Sequence, residues 1–474
     1  MQTIFSSCKP RPEVLEGQLT EQQFAASLTR VLRGNAEAVY GDPATFFANT
    51  YPTGGLKSLL REALGRLSGK HPDSAPVIRL ETSFGGGKTH NLIALYHLAS
   101  GEVRPSMVKD FASADLVPKA RIPKIVGIVG PDIGVADGVD HGEVRTFTLW
   151  GEMAYQLGGA AGYAEVSKSD QQRTAPGTQA WEKLMGEEPA LVMIDEIAQY
   201  LRVSGGIPVG RKTLAEQTVA FLMSLMKFAA ESKRVVLVYT LADSGDAFGS
   251  ESDQVRQALA EAKSVSARQE HVLTPAAEDE ISAIVGHRMF AEVDSQAAAE
   301  AARSFAEYFG RLVGQGVDLP QRAGRGQYRQ EIEQSYPFHP ELLTTLNRKT
   351  STIPNFQRTR GVLRLLAQTI RKLWQEKPRD CYLIAPFHID LGEEQTANDL
   401  TSRLDRPQYK QVIEADIVSP LQGSRAHAQE IDGEFLEAGR APYAQRIATT
   451  VFLHSLVQTG QSGVEPGDLR LAVL

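Results

Sequence analysis

The residues best suited to chemistry form a glycine-rich run that is followed at once by lysine and threonine. The run comprises Ser83, Phe84, Gly85, Gly86, Gly87, Lys88, Thr89 and His90. Consecutive glycines let several backbone N–H groups point toward one anion, because no side chain stands in the way. A helix that begins at Lys88 would add the positive end of its dipole. The run therefore predicts a site for the phosphates of ATP, with Lys88 on the β- and γ-phosphates and the Thr89 hydroxyl on Mg²⁺.

The run departs from the usual phosphate-loop signature in one place, since Thr82 stands where the first glycine is expected. The simpler alternative is a glycine-rich turn that happens to precede Lys88 and Thr89. A strand, a loop and a helix are expected here in the order that a phosphate loop requires, and this order favours the phosphate site. His90 is counted with the loop, although a structural role at the start of the helix is favoured for it.

A pair of acids, Asp195 and Glu196, forms the second set of candidates. They directly follow the apolar run 191–194, which has the pattern of a buried strand. In a parallel sheet the carboxyl ends of the strands line the ligand crevice, so these acids are expected beside the phosphate loop. Asp195 would hold Mg²⁺ through water, and Glu196 would polarise the attacking water as a general base. The alternative is a pair of acids that cap the helix after the strand.

Four other polar side chains are weaker candidates. Thr240 ends the fourth expected strand, where it could hydrogen-bond the attacking water or the γ-phosphate, and Asp243 and Ser244 compete for that role. As a single residue, Thr240 could equally be a satisfied hydroxyl at a strand end. Arg268 precedes the fifth expected strand and could act on the nucleotide of a neighbouring subunit, although a plain surface arginine is favoured.

A row of arginines lies at the start of the helix expected over 361–374. Arg360, Arg364 and Arg371 share one face of this helix, and apolar residues form another. Such a row is usually a solvated face. The spacing Gly-x-x-Arg also suits a residue that reaches the γ-phosphate, and Arg364 is preferred over Arg360 for this role.

The remaining composition excludes several other classes of protein. No serine–histidine–aspartate or cysteine–histidine set can be assembled, and Cys8 and Cys381 have no neighbours at zinc spacing. With 42% hydrophobic and 23% charged residues, the sequence is typical of a globular protein. The net charge of −7 argues against nucleic-acid binding driven by net charge alone. The sequence has no secretory signal and no long apolar run, so a cytoplasmic location without membrane insertion is expected.

The elements that would position these residues alternate between strands and helices. Strands are expected over 76–82, 124–129, 190–194, 235–239 and 271–273, and helices over 89–98, 147–157, 214–230 and 250–263. Strands that are apolar from end to end and are separated by helices predict a parallel sheet covered on both faces. The expected fold class is therefore α/β, with the three-layer architecture of a P-loop NTPase.

The chain of 474 residues is too long for a single core, and its pattern changes twice. We expect an N-terminal helical region over 1–70, a nucleotide-binding α/β domain over 71–275, a helical lid over 276–376 and a mixed C-terminal unit over 377–474. A winged-helix-like fold is one alternative for the last unit. Outside the α/β domain, helices are expected over 21–32, 56–67, 278–290, 297–312, 361–374 and 445–457. The apolar ending 469–474 suggests a cut through a longer protein, although a natural terminus is an alternative.

Several of these segments resemble known families. The order of phosphate loop, long insertion, Ile-Asp-Glu, strand-end threonine and helical lid with Gly-x-x-Arg is similar to that of the AAA+ ATPases. Five segments look more narrowly like the large bacterial and archaeal ATPases known as domain of unknown function 499. These segments are 49–53, 83–90, 148–152, 194–200 and 356–361. The resemblance implies that threonine in place of the first glycine is a common feature of sequences in this family.

The resemblance also implies a function. Members of this family are often encoded with DNA methyltransferases and helicases in phage-defence islands and are similar to ATPases of BREX-type systems. An ATP hydrolase is implied that uses Mg²⁺, assembles as a homo-oligomer, and powers or gates an antiviral complex on DNA. A methyltransferase or helicase of the same system is the implied partner, and direct contact with DNA is left open. The alternative, from another class, is a slow nucleotide-dependent switch or scaffold that recruits effectors.

Overall fold

The computed structural model describes most of the chain. The described residues are 1–17, 26–82, 87–242, 249–261, 270–277, 280–324, 326–350, 359–401, 407–421, 423–456 and 463–474. The chain divides into two compact units. We name residues Ala26–Glu278 the sheet unit, and Met1–Ala25 together with Asp279–Leu474 the helical unit. Within the described residues, no helix combines the length and the apolar character that crossing a membrane requires.

A five-stranded parallel sheet lies at the centre of the sheet unit. In chain order its strands are β1 (Val77–Thr82), β2 (Lys124–Val129), β3 (Ala190–Asp195), β4 (Val235–Ala242) and β5 (Glu270–Leu273). Their spatial order is β5-β1-β4-β3-β2, and every neighbouring pair is parallel. The strand β4 therefore lies between β1, which leads into the glycine-rich run, and β3, which ends at Asp195. The expected α/β class and the parallel sheet are confirmed.

Two apolar cores cover the two faces of this sheet. Every residue of β3 is buried, as expected for a central strand with helices on both sides. Leu191 and Met193 pack in one core, whereas Val192 and Ile194 pack in the other. This alternation follows from the two-residue period of a strand, which sends successive side chains to opposite faces.

The helices of the sheet unit include six at expected positions and five that were not expected, namely Ala38–Gly41, Pro43–Ala48, Ser167–Gln171, Thr178–Met185 and Ile197–Ser204. Their bounds are Leu28–Leu32, Ala38–Gly41, Pro43–Ala48, Gly54–Ser68, Lys88–Ala99, Leu149–Ala164, Ser167–Gln171, Thr178–Met185, Ile197–Ser204, Leu214–Glu231 and Gly249–Glu261. Of the helix expected over 21–32, the part before residue 26 lies outside the described residues. Two short antiparallel pairs were not expected from the sequence, namely Val139–Asp140 with Arg145–Thr146 and Pro208–Val209 with Lys212–Thr213.

The helical unit contains mostly helices. Its helices are Ile4–Ser7, Pro12–Glu16, Ile281–Met289, Ser295–Gly314, Gly326–Ser335, Pro340–Thr350, Thr359–Glu376, Glu394–Thr401, Tyr409–Val412, His427–Glu437, Tyr443–Ser455 and Pro466–Val473. A strand at Phe290–Val293, within the region expected to be a purely helical lid, pairs antiparallel with Cys8–Pro10. The mixed character expected for 377–474 is wrong for the described residues, which form helices and a single bridge between Ile384 and Phe338.

Candidate functional site

The helix Lys88–Ala99 begins at the carboxyl end of β1, where the sequence predicts the phosphate loop. Residues 83–86 lie outside the described residues. Gly87 caps the helix with a φ of +92°, in the left-handed region that favours glycine, and a β-carbon there would lie 3.3 Å from Cβ of Pro275. The first turn carries Lys88 and no acid, so the dipole of this 12-residue helix and the lysine charge both favour an anion at this end.

A buried carboxylate at the end of β3 joins three of the candidate residues. The Thr89 hydroxyl donates to Oδ2 of Asp195 at 2.6 Å, and the Thr240 hydroxyl donates to Oδ1 at 2.7 Å. Asp195 is buried, with only 2% of the residue exposed to solvent. The three residues meet because β4, which carries Thr240, lies between β1 and β3 in the sheet. Hydroxyl and carboxylate oxygens are the ligands that Mg²⁺ prefers, so Thr89 and Asp195 fit a magnesium site.

Glu196 holds an uncommon backbone conformation directly after this carboxylate. Its φ of 53° and ψ of 38° lie in the left-handed region, where a residue with a β-carbon is strained. Its N–H donates to Oγ1 of Thr240 at 2.9 Å and to Oδ1 of Asp195 at 3.1 Å, which stabilises that conformation. Glu196 is exposed, and its side chain forms no capping hydrogen bond to the helix Ile197–Ser204. Strained residues of this kind cluster at functional sites, which favours a chemical role over a helix cap.

His90 contacts a segment that precedes β1. Its Nε2 lies 2.8 Å from Oγ1 of Thr50, and the Thr50 hydroxyl donates to the carbonyl of Phe46 at 2.7 Å. The imidazole ring also stacks on the Phe46 ring, with 4.5 Å between the ring centroids. These contacts support the structural role favoured for His90, and a nucleotide contact of this residue stays a prediction.

The segment 49–55 packs against the end of β5. Thr53 donates its hydroxyl to the carbonyl of Pro275 at 2.7 Å and also caps the helix Gly54–Ser68. A β-carbon at Gly55 would lie 2.0 Å from the carbonyl oxygen of Thr274, so only glycine permits this approach. Since Pro275 also lies against Gly87, the segment helps to position the start of the helix Lys88–Ala99. The sequence signal for this role was the cluster of threonine, proline and glycine at 50–55.

Two ion pairs that sequence reasoning missed tie the helix Gly249–Glu261 to the site. Arg202, on the helix after Glu196, makes a bidentate pair with Glu251 at 2.7 and 2.8 Å, and this bonding holds the pKa of Glu251 at about 2. Arg256 pairs with Glu81, the residue before the last of β1. The helix is thereby tied both to β1 and to the helix Ile197–Ser204 that follows Glu196.

The other candidates lie elsewhere or outside the described residues. Asp243, Ser244 and Arg268 lie outside them, as does the side chain of Arg360. Arg364 belongs to the helical unit, in the helix Thr359–Glu376.

Arg364 does not lie on a solvated face. Its Nη2 is 2.7 Å from Oδ1 of Asp399, and the two side chains are only 10% and 9% exposed. The role of Arg364 toward the γ-phosphate stays a prediction, and the pair with Asp399 gives this arginine a structural role as well.

Comparison with known proteins identifies two family models that match the chain. One model, the DUF499 N-terminal domain, matches residues 4–272, and the other, the DUF499 second domain, matches residues 276–466. The step from one match to the next lies close to the border between the two units at 278 and 279. No curated protein and no solved structure shows significant similarity to the chain.

Proposed function

This chain belongs to the DUF499 family, and we propose that its sheet unit binds ATP with Mg²⁺ and hydrolyses it. The observation that carries the proposal is the set of hydrogen bonds that joins Thr89, Thr240 and Glu196 to the buried carboxylate of Asp195. These residues lie at the carboxyl end of a parallel sheet, next to the N-terminus of a helix that begins with lysine. Phosphoryl transfer needs such an arrangement of a phosphate cradle, metal ligands and a base.

Each of these residues would have its own role in the binding and hydrolysis of ATP. The N-terminus of the helix Lys88–Ala99 and the ammonium group of Lys88 bind the phosphates and offset their charge. Thr89 and Asp195 would hold Mg²⁺, which would neutralise the negative charge that develops on the phosphates. Glu196 accepts the proton of the attacking water, since its carboxylate is exposed at the end of β3.

The proposal extends to the type of ATPase. We assign the sheet unit to the AAA+ group of P-loop ATPases, as the resemblance in the sequence implies. The position of β4 between β1 and β3 supports this assignment, with Thr240 two residues before the end of β4 rather than at its end as expected. Assembly into a homo-oligomer belongs to the same proposal. Measurement of the particle mass with and without ATP tests it, and a monomer under both conditions would contradict it.

The biological setting that we propose rests on the family resemblance alone. There the hydrolysis of ATP powers or gates an antiviral complex on DNA, with a methyltransferase or helicase as the partner. The rate of phosphate release with and without duplex DNA tests the DNA part of this proposal. A chain that binds ATP and does not turn it over would favour the alternative of a nucleotide-dependent switch or scaffold.

Thr240→Val should lower the rate of ATP hydrolysis by roughly tenfold or more and leave ATP affinity nearly unchanged. Valine keeps the shape of threonine, but it removes the donor to Asp195 and the acceptor for the N–H of Glu196. Phosphate release and a fluorescent-ATP titration measure the two effects separately. Thr218→Val is the matched control, because Thr218 is equally buried and its hydroxyl donates to the carbonyl of Leu214 in its own helix. Parental hydrolysis in Thr240→Val would limit Thr240 to a structural role.

Arg364→Ala should weaken ATP binding by roughly tenfold or more and leave ADP affinity nearly unchanged, if the guanidinium bonds the γ-phosphate. Arg360→Ala is the control, one turn earlier on the same row. Urea unfolding of both variants is needed as well, because removal of the guanidinium beside buried Asp399 costs about 3 kcal/mol of stability. Equal losses for ATP and ADP would limit Arg364 to its structural pair.

A further inference from the structure

Gly130 lies beside the candidate base, although it follows a different strand of the sheet. The last residue of β2, Val129, is in register with Asp195 of β3. The residues that follow the two strands, Gly130 and Glu196, are therefore neighbours. Gly130 is buried and begins the short turn Gly130–Asp132. The atom that would approach a β-carbon at Gly130 most closely belongs to the backbone of Glu196 and not to a flexible side chain.

The space around Gly130 excludes even the smallest side chain. A β-carbon at this position would lie 2.6 Å from the carbonyl oxygen of Glu196 and 3.1 Å from Cβ of Tyr200. A separation of 2.6 Å is well inside van der Waals contact, so the Glu196 peptide would have to shift. Gly130 itself is held in place, because its carbonyl accepts a hydrogen bond from the N–H of Ile133 that closes the turn.

The peptide that would shift is the one that sets the orientation of Glu196. The carbonyl of Glu196 accepts from the N–H of Gln199 at 3.1 Å, as the first bond of the following helix. On its other side the N–H of Glu196 is held by Thr240 and Asp195. Because the Cα of Glu196 is bonded to this carbonyl carbon, displacement of the peptide moves the Cα and, with it, the carboxylate.

We propose that Gly130 is a positioning residue for the general base. The missing β-carbon at the end of β2 lets the Glu196 peptide approach and hold its left-handed conformation, and this conformation fixes where the carboxylate stands. Gly130 acts through the backbone of Glu196 and contributes no group to the reaction. The inference rests on the proposed hydrolysis of ATP at this site.

Gly130→Ala tests the proposal. We expect the kcat for ATP hydrolysis to fall by about 10- to 100-fold while ATP affinity stays within roughly twofold, because small displacements of a reacting group cost rates of this order. Gly134→Ala is the matched control in the same loop, since the nearest atoms to its β-carbon would lie at an ordinary 3.7 Å. This control should leave both quantities unchanged.

A double variant separates positioning from a structural role. If Gly130 acts through Glu196, adding Gly130→Ala to Glu196→Gln should lower kcat no further than Glu196→Gln does alone. A further fall of kcat in the double variant, as large as that in Gly130→Ala alone, would overturn the proposal. So would a parental kcat in Gly130→Ala. Loss of ATP binding in Gly130→Ala, or an unfolded variant in urea unfolding, would overturn it as well. A different result would contradict the proposed function, namely a parental chain that does not turn over ATP or whose turnover does not depend on Glu196.

Discussion

Glu196→Gln should leave ATP bound and lower its hydrolysis by a factor of roughly 10² to 10⁴. Glutamine has nearly the size of glutamate, but its amide cannot accept the proton of the attacking water. The backbone bonds from the N–H of Glu196 to Thr240 and Asp195 do not involve the side chain, so the fold of the site should persist. Phosphate release and fluorescent-ATP titration on the same preparation measure hydrolysis and binding.

Glu143→Gln is the control for the change of charge. Glu143 is exposed in the turn between the short strands Val139–Asp140 and Arg145–Thr146, and it takes no part in the site. Its replacement should alter neither hydrolysis nor binding. If Glu196→Gln hydrolyses ATP at the parental rate, the base lies elsewhere and the exposed carboxylate after β3 has another role.

Lys88→Ala should weaken ATP binding by at least about 100-fold, because one ammonium group serves both the β- and γ-phosphates and each charged contact is worth about 1.5–3 kcal/mol. Alanine is a good helix former, so the helix Lys88–Ala99 should persist. Titration with fluorescent ATP gives the affinity directly, and urea unfolding confirms that the variant is folded.

Lys57→Ala is the matched control for Lys88→Ala. Lys57 is an exposed lysine in the first turn of another helix of the sheet unit, Gly54–Ser68. Its loss changes the net charge by the same amount and should not change ATP affinity. Parental affinity in Lys88→Ala would mean that the glycine-rich run is not a phosphate site.

The sheet could be predicted from the sequence because its strands are buried on both faces. The bounds of β2 were predicted to the residue, and β3 to within one residue, since continuous apolar runs between polar turns mark such strands. The spatial order could not be predicted. Nothing local in the sequence shows that β4, fourth along the chain, lies between β1 and β3.

The pairing of distant segments is one feature of the fold that was missed. Cys8–Pro10 and Phe290–Val293 form a ladder across about 280 residues, and neither segment carries the alternation of a longer strand. The helical character of the described part of 377–474 was likewise obscured by short elements and by turns rich in proline and glycine.

The candidate site was predicted in its residue types and in part of its geometry. Because strand ends gather at one edge of a parallel sheet, Thr89, Asp195 and Thr240 were expected together, and they share hydrogen bonds. The left-handed conformation of Glu196 and the burial of Arg364 against a distant acid depend on tertiary contacts that no local pattern reveals.

The most direct test of the central claim is the steady-state release of phosphate from ATP by the purified chain, measured beside Lys88→Ala and Glu196→Gln. We expect turnover that saturates with ATP, requires Mg²⁺, stops when the metal is chelated, and is lost in both variants. Turnover that is unchanged in both variants would place the chemistry outside this site. A parental chain that binds ATP and releases no phosphate would contradict the proposed hydrolysis.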